Sequence, residues 1–338
     1  MRCTSVRPAE LGSTELARWR ELAAATPGPR NPFLAPEYAL AVGEVRPAAR
    51  VLVAEDAGQT IGFLAIEEHG RVARPIGSGL TDCEGWTLAA GADVPAGAAL
   101  RAAGLAGWDF ETLLDEQVPE GAYRLRRERS PVVAMPDGYE PYLEAVRGRS
   151  KKWLASMFRK QRKMEREVGE IRFEFASSDE AALRSLMRWK SGQYAQLDEW
   201  DRFGDPGIVA LVSTLMRGKD PACSGALSVL WAGDVPVAAH AGIHSESVLS
   251  WWFPAYDPEY GKYSPGMLVL LHLLEGAAAH GVGTVDLGRG QHDYKDATKT
   301  GELTVVTGSV DAPVAASLPR RAKRLARAGV HAARRLRS

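Results

Sequence analysis

The sequence predicts an α/β protein with mixed sheets, built from two lobes and finished by a basic helical tail. Three observations carry this expectation. At 338 residues with 45% hydrophobic side chains, the chain exceeds one ordinary domain and can fill two cores. A strand, turn, strand pattern occurs once in each half. In the second half it continues into a further strand, a loop, a helix and another strand, the alternation expected of a sheet covered by helices.

The first lobe opens with a helix over Ser13 to Ala25, capped by Ser13 and ended by the breaker Thr26-Pro27-Gly28-Pro29. A second short helix follows Pro36. Val51 to Ala54 and Ile61 to Ile66, separated by Glu55 to Gln59, read as a β-hairpin. A boundary falls near residue 135, within the stretch Ser130 to Gly138. This gives lobes over 1–135 and 136–312 and a tail over 313–338.

The second lobe begins with the most charged segment of the chain. Ser150 to Arg166 holds Lys151, Lys152, Arg159, Lys160, Arg162, Lys163 and Arg166, with Trp153, Met157, Phe158 and Met164 on its apolar side, so it reads as one helix with a basic face. That face is either solvated or anion-binding. Another helix spans Ser178 to Tyr194, with Asp179 and Glu180 in its first turn, where the helix dipole favours acids. Ser228 to Trp231, the turn Ala232-Gly233-Asp234, and Val237 to Ile243 repeat the hairpin. The repeat reflects duplication of a whole lobe or the coincidence of two common hairpins. The tail, Leu318 to Arg337, carries no acidic residue and places Leu318, Ala322, Leu325, Ala326, Ala333 and Leu336 at helical spacing. It is either solvated or in touch with a membrane surface or a protein partner.

Composition removes several function classes. Forty-two basic side chains balance forty-two acidic ones, so no global field steers the protein onto nucleic acid or anionic membrane, and any such affinity is local. Met1 to Leu11 lacks the apolar core of a signal peptide. The longest apolar stretch, Met267 to Leu274, is broken by His272 and stopped by Glu275. The expectation is a cytoplasmic protein without a transmembrane segment. Cys3, Cys83 and Cys223 form no CxxC pair and have no nearby histidine cluster, which predicts reduced thiols and no metal. Cys83, in the turn-like stretch Ser78 to Gly85, has no neighbouring base and reads as part of a structural loop.

The chemistry is concentrated between Val248 and Lys295. Val248 to Asp257 reads as a strand, Pro258 to Tyr263 as a loop, and Ser264-Pro265-Gly266-Met267 as the opening of a helix running to His280. Ser264 is an N-cap type and Pro265 suits the first helical position. The amides around Gly266 and Met267 are then available to an anion, the helix dipole favours negative charge there, and Lys262 adds a full positive charge. Such an arrangement suits a pyrophosphate. Pro254 cannot donate to a ladder, so it marks an edge or a bulge that splays the strand and leaves neighbouring amides for a developing oxyanion. Asp257 either orients and deprotonates an acceptor amine or caps the turn before Pro258. His240 and His244 share the face of Gly242 in their strand and read as satisfied sheet histidines. Trp251, Trp252 and Phe253 line a pocket or fill the core. Past the short strand Thr284 to Leu287, the run Gly288 to Lys295 places polar groups just beyond a strand end.

These residues carry a family resemblance. The strand, loop, helix, strand order resembles the acyl-CoA core of the GNAT superfamily. Ala255-Tyr256-Asp257, Ser264-Pro265-Gly266, Asp286-Leu287-Gly288-Arg289-Gly290 and Tyr294-Lys295 resemble the BioF2-like or CelD-like acetyltransferases, relatives of the FemABX peptidyltransferases. The basic helix with Arg159, Arg162 and Lys163, together with Asn31-Pro32-Phe33, Arg74-Pro75-Ile76-Gly77 and Asp82, extends the resemblance over about Asn31 to Val310. It implies two tandem GNAT-like lobes. Coenzyme A or acyl-CoA would be held by Phe253, Ala255, Tyr256, Lys262, Tyr263, Ser264, Gly266 and Met267. The small-molecule or cell-surface acceptor would meet Arg159, Arg162, Lys163, Trp252, Asp286 and Arg289. Asp257 would act as base, Tyr294 would protonate the leaving thiolate, and Lys295 would assist, in a direct transfer to an amine or hydroxyl within a ternary complex. The loop Glu259 to Ser264 departs from the glycine-rich pattern of standard GNAT enzymes. Aminoacyl-tRNA, which FemABX relatives use, is therefore the alternative donor. A non-catalytic scaffold in polysaccharide or natural-product assembly is a third possibility.

Overall fold

Period-two apolar runs pair where the sequence places them, and a computed structural model describes residues 1–26, 30–313, 315–318 and 320. In chain order the elements begin with β1 (Arg2–Val6), α1 (Ser13–Ala25), α2 (Pro36–Val45), β2 (Ala49–Asp56), β3 (Gln59–His69), β4 (Val72–Pro75), β5 (Thr87–Leu88), α3 (Ala96–Ala102), β6 (Gly107–Leu114) and β7 (Tyr123–Ala134). They continue with α4 (Tyr139–Arg149), α5 (Lys151–Glu167), β8 (Ile171–Glu174), α6 (Glu180–Gln196), α7 (Pro206–Arg217), β9 (Ser224–Ala232), β10 (Val235–His244), β11 (Val248–Ser250) and β12 (Phe253–Tyr256). The last are α8 (Pro265–Ala279), β13 (Thr284–Asp286), α9 (Asp293–Thr298) and β14 (Gly301–Asp311). Most of the tail expected over 318–337, and the Pro27-Gly28-Pro29 breaker, lie outside the described residues. Helix α1 has the predicted span, but its N-cap is Gly12 and not Ser13. The Gly12 amide donates to Glu15 Oε2 at 2.6 Å, satisfying one orphan donor of the first turn.

The chain forms two compact units, interleaved in sequence. One comprises the described residues of Met1–Thr26, Pro47–Arg127 and Val305–Ser338, the other those of Pro27–Arg46 and Glu128–Thr304. The expected cut at 135 is thus corrected. Residues 30–46 join the second unit because Arg30 N–H donates to Ser247 Oγ (3.0 Å) and Arg46 pairs with Asp205 (3.5 Å). The described residues from 305 onward join the first unit because Val305 to Asp311 pair with Leu114 to Gly107 of β6.

Each unit runs the same strand grammar. In the first, β1, β2, β3 and β4 pair antiparallel in turn, β4 runs parallel to β6, and β6 pairs antiparallel with β14. In the second, β8, β9, β10 and β11 pair antiparallel in turn, β11 runs parallel to β13, and β13 pairs antiparallel with β7. A parallel pair needs a crossover, which α3 supplies in one unit and α8 in the other. The repeated hairpin is therefore part of a repeated lobe and not the coincidence of two common hairpins. Leu52, Leu64, Trp108, Phe110 and Val306 fill the first core, and Leu230, Leu249, Val269, Leu273 and Val285 the second. The three cysteines are buried and none is in a disulfide, and burial pushes the Cys3 thiol up to about 11, the state of an inert core thiol.

Candidate active site

The second unit contains a forked strand. β11 runs parallel to β13 as far as Ser250 opposite Asp286, and Trp251 N–H makes a last bond to the Asp286 carbonyl at 2.8 Å. Beyond Trp252 the chain stays with β10 alone, so β12 has one open edge among the described residues. His240 is the wedge at the fork. Its buried Nε2 lies 3.1 Å from the Ser250 carbonyl and 3.2 Å from Trp252 N, and its ring stacks on Trp251 at 4.6 Å. Burial holds the imidazole down at about 3, so it is neutral. Gly242 makes the room, because a Cβ there would come within 2.4 Å of the ring and of the Ser250 oxygen.

Register decides which groups face the open edge. Asp257 N–H bonds the Val237 carbonyl at 3.0 Å, so by antiparallel alternation Ala255 and Phe253 also turn their amides to β10. Pro254 and Tyr256 then face outward. Proline stands where its missing donor costs no ladder bond. The expectation of oxyanion-binding amides on either side of Pro254 is corrected accordingly. The outward carbonyl of Pro254 accepts from Lys190 Nζ of α6 at 3.2 Å.

Beyond β12, Asp257 Oδ1 accepts from Glu259 N at 3.0 Å and caps the 3-10 turn Pro258–Tyr263. Ser264 follows in the left-handed region, φ 56°, a conformation that costs of order 1–3 kcal/mol for a residue with a side chain. That geometry aims the Ser264 carbonyl back at the helix, where it accepts from Met267 (2.9 Å) and Leu268 (3.2 Å). Met267 is therefore engaged, while the Gly266 amide has no acceptor among the described residues. The Tyr256 ring lies beside this turn, 3.2 Å from where a Gly266 Cβ would stand. The lysine at the cradle is Lys160 of α5, whose Nζ donates to Ser264 Oγ at 2.6 Å. Lys262 turns instead to Glu167, 3.2 Å away, and the Tyr263 hydroxyl donates to the same carboxylate oxygen at 2.6 Å. Lys163 stands 3.8 Å from the other oxygen. The Tyr263 bond leads in holding the Glu167 carboxyl below its ordinary range.

The third wall follows β13. Asp286 is buried and accepts from Gly288 N (2.9 Å), Ser130 Oγ (3.2 Å) and Asn31 Nδ2 (3.2 Å). Burial raises its carboxyl and these donors oppose the rise. Asn31 also accepts from Phe33 N at 3.1 Å, which gives the Asn31-Pro32-Phe33 motif a structural purpose. Lys295 is buried, and its Nζ donates to the carbonyls of Gly288 and Arg289, both at 2.9 Å. It pins the loop that Asp286 caps. Half-buried Tyr294 stacks on His292 at 5.8 Å. Burial raises its phenol and the Trp251 indole lowers it, so it stays protonated at neutral pH.

The structure separates the remaining candidates. Exposed Arg159 and Arg162 lie on the outer face of α5, and Arg289 stands 3.8 Å from Glu128. Trp252 and Phe253 belong to an aromatic cluster in the core. Trp252 meets Phe33 at 5.7 Å and Phe253 at 4.5 Å, and Phe253 meets Phe203 at 5.0 Å. The pocket-lining role expected of Trp252 is corrected on that ground. Lys190, Lys160, Glu167 and the wedge role of His240 were not legible as a site, because each acts through a partner distant in sequence.

The equivalent fork of the first unit is filled by its own chain. β5 leaves β4 and joins β3, as β12 leaves β11 and joins β10. Glu84 from the intervening segment occupies the gap, with its amide donating to the Thr112 carbonyl (3.0 Å) and its carbonyl accepting from Leu114 N (3.3 Å). Among the described residues no helix is long and apolar enough to cross a membrane, and no group of three or more His, Cys, Asp or Glu could hold a metal ion.

The forked strand and the helix that follows it fit a GNAT-type fold, a fold that supports acyl transfer in general. Residues 151–296 match the family model described as acetyltransferase (GNAT) domain. No curated protein matches the chain. Among solved structures it is similar to FemX, at 9% identity and a TM-score of 0.59 over 94% of this chain and 98% of that one. It is also similar to a tandem GNAT protein from the clavulanic acid biosynthesis pathway, at 12% identity and a TM-score of 0.52 over 93% of this chain and 99% of that one.

Proposed function

We propose that the second unit is an acyl-CoA-dependent acyltransferase of the cytoplasm, transferring an acyl group directly to an amine or hydroxyl of a small-molecule or cell-surface precursor. The open edge of β12, leading to the N-terminus of α8, carries this reading. An anion at that helix end would meet the Gly266 amide, the dipole of a fifteen-residue helix and Lys160. Lys163 and Lys262 leave the surroundings net positive after Glu167 is counted. A pyrophosphate fits this donor set, and the Tyr256 amide and carbonyl on the open edge suit an extended amide-bearing arm. Tyr294, protonated and carried on α9 beyond the facing strand, is the candidate proton donor to sulfur. Asp257 is the candidate base, and its carboxylate keeps a second oxygen beside the capping one. Lys295 holds the loop that carries Tyr294's helix. The finer grouping with BioF2-like or CelD-like acetyltransferases rests on the sequence motifs.

Thermal melting with coenzyme A, acetyl-CoA and longer acyl-CoAs tests this, because a ligand that binds only the native state raises the melting temperature by mass action. A dose-dependent rise is expected. Flat melting with every acyl-CoA refutes the donor assignment. The exposed basic face of α5 favours one second reading, aminoacyl-tRNA as donor, with Arg159, Arg162 and Lys163 on the nucleic acid. Binding would then fall steeply with salt. A scaffold without activity would show neither response.

A further inference from the structure

Resting on this acyltransferase reading, we infer that Lys190 is a catalytic residue, its ammonium supplying the hydrogen bond to the thioester oxygen at the level of β12 where no backbone amide points. The open edge offers few donors. The amides of Phe253 and Ala255 face β10, Pro254 has none, and Trp252 N–H lies 3.2 Å from His240 Nε2. Tyr256 N–H lies outward but nearer the helix end, where the arm of the donor would pass. Lys190 reaches the edge at Pro254 itself, with Nζ 3.2 Å from the carbonyl and 3.4 Å from Gln193 Oε1, and 5.4 Å from the centre of the Tyr194 ring. An ammonium carries three N–H donors. Two are aimed at these acceptors, and the third remains for a ligand.

The surroundings strengthen such a bond. Burial, with Arg202 as the second cause, pulls the Lys190 ammonium down to about 8, so it is charged at neutral pH in a poorly hydrated place where a charge-assisted bond is strong. In the transfer, the acceptor's lone pair forms the new bond to the acyl carbon while the C=O π pair moves onto oxygen, which the Lys190 N–H stabilises. That pair returns as the C–S bond breaks, and the acceptor's proton ends on sulfur. Lys190 keeps all its protons, and no other reactant is consumed.

The experiment compares parent, Lys190→Met and Lys190→Arg by two readouts, the melting shift with acetyl-CoA and thiol release with the best amine of a panel, or with water where none exceeds it. Lys190→Met should lower kcat on the order of 100-fold or more while the melting shift stays as in the parent. Lys190→Arg, which keeps a charged donor, should recover most of the rate. The parent's rate should also decline as pH rises through about 8, a limb absent in Lys190→Arg. The groups near the ammonium are Arg202, Glu199, Asp201, Tyr194 and neutral His240, so Lys190 is the one expected to lose its proton in that range. Equal turnover in parent and Lys190→Met, with acetyl-CoA bound by both, overturns the role of Lys190 alone. A Lys190→Met variant that loses the melting shift together with turnover makes the lysine a support of the donor cleft and also overturns it. Failure of the parent to bind any acyl-CoA refutes the donor reading and takes this role with it.

Discussion

Replacing Glu84 with Gln should flatten the pH dependence of the first unit's stability. The Glu84 carboxyl is buried, and its Oε1 accepts from the amides of Glu111 (3.0 Å) and Thr112 (2.7 Å) and from the Thr112 hydroxyl (2.9 Å). Burial outweighs these bonds and lifts the carboxyl from 4.5 to about 7. Below about pH 4.5 the folded and unfolded chains both hold the proton. Between there and about pH 7 the folded chain keeps it while the unfolded chain releases it, so stability is highest on the acid side and falls as pH rises through about 7. At about 1.4 kcal/mol per pH unit, the rise is worth about 3 kcal/mol. The assay is hydrogen exchange at the Thr112 amide between pH 5 and 8.5, converted to an opening free energy, in parent and Glu84→Gln. The parent should lose about 2.5 kcal/mol across this range relative to the variant, the remainder falling below pH 5. Parallel curves would refute the reasoning, since a non-titrating side chain cannot reproduce a carboxyl's linkage.

Lys160→Gln should weaken coenzyme A binding roughly tenfold, the scale of one charge-assisted bond, whereas Glu167→Gln should tighten it by removing an acid that holds Lys262 at the cradle; calorimetric titration at two salt concentrations reads both. Asp257→Asn keeps the cap on Glu259 and removes the base, and Tyr294→Phe removes the proton donor. Each should lower kcat by about 100-fold with little change in donor affinity, and a loss confined to the Michaelis constant would mean binding instead. Converting Arg159, Arg162 and Lys163 together to Gln should raise a Michaelis constant if they meet a substrate phosphate, and unchanged constants return that face to solvent.

Much of this fold was readable because local signals and tertiary packing agree. The 2.0 and 3.6 periods named the two hairpins, α1, α5 and α8, and Pro254 announced a break in a strand. The break was misplaced by two residues and its consequence inverted. The proline lies in a regularly paired stretch with its ring nitrogen outward, while the fork opens at Trp251 and Trp252 around a histidine from the neighbouring strand. No local pattern couples His240 to Ser250 or Lys190 to Pro254, because these contacts exist only once β10 and α6 are packed. The interleaving of the units was equally hidden. Nothing in residues 305–311 states that they pair with β6, almost 200 residues earlier, and Asn31 reads as a turn residue until Asp286 is brought to it.

The two forks show what keeping a strand edge open requires. An unpaired edge exposes amides and carbonyls that cost free energy unless something satisfies them. The first unit satisfies them with its own chain, Glu84 pairing to β6 and Gln117 bonding both the amide (2.6 Å) and the carbonyl (3.1 Å) of Trp86. That leaves no edge for a ligand. In the second unit each outward group has a separate answer. Proline removes one donor, Lys190 takes one carbonyl, His240 meets Trp252, and Asp286 with Lys295 closes the loop on the facing strand. What remains outward without a partner among the described residues is the amide and carbonyl of Tyr256, one donor and one acceptor beside the Gly266 amide. An edge satisfied everywhere except at one donor and one acceptor is selective for an extended amide laid along it. This is the ground on which we propose catalysis for the second unit although both units carry the same strands.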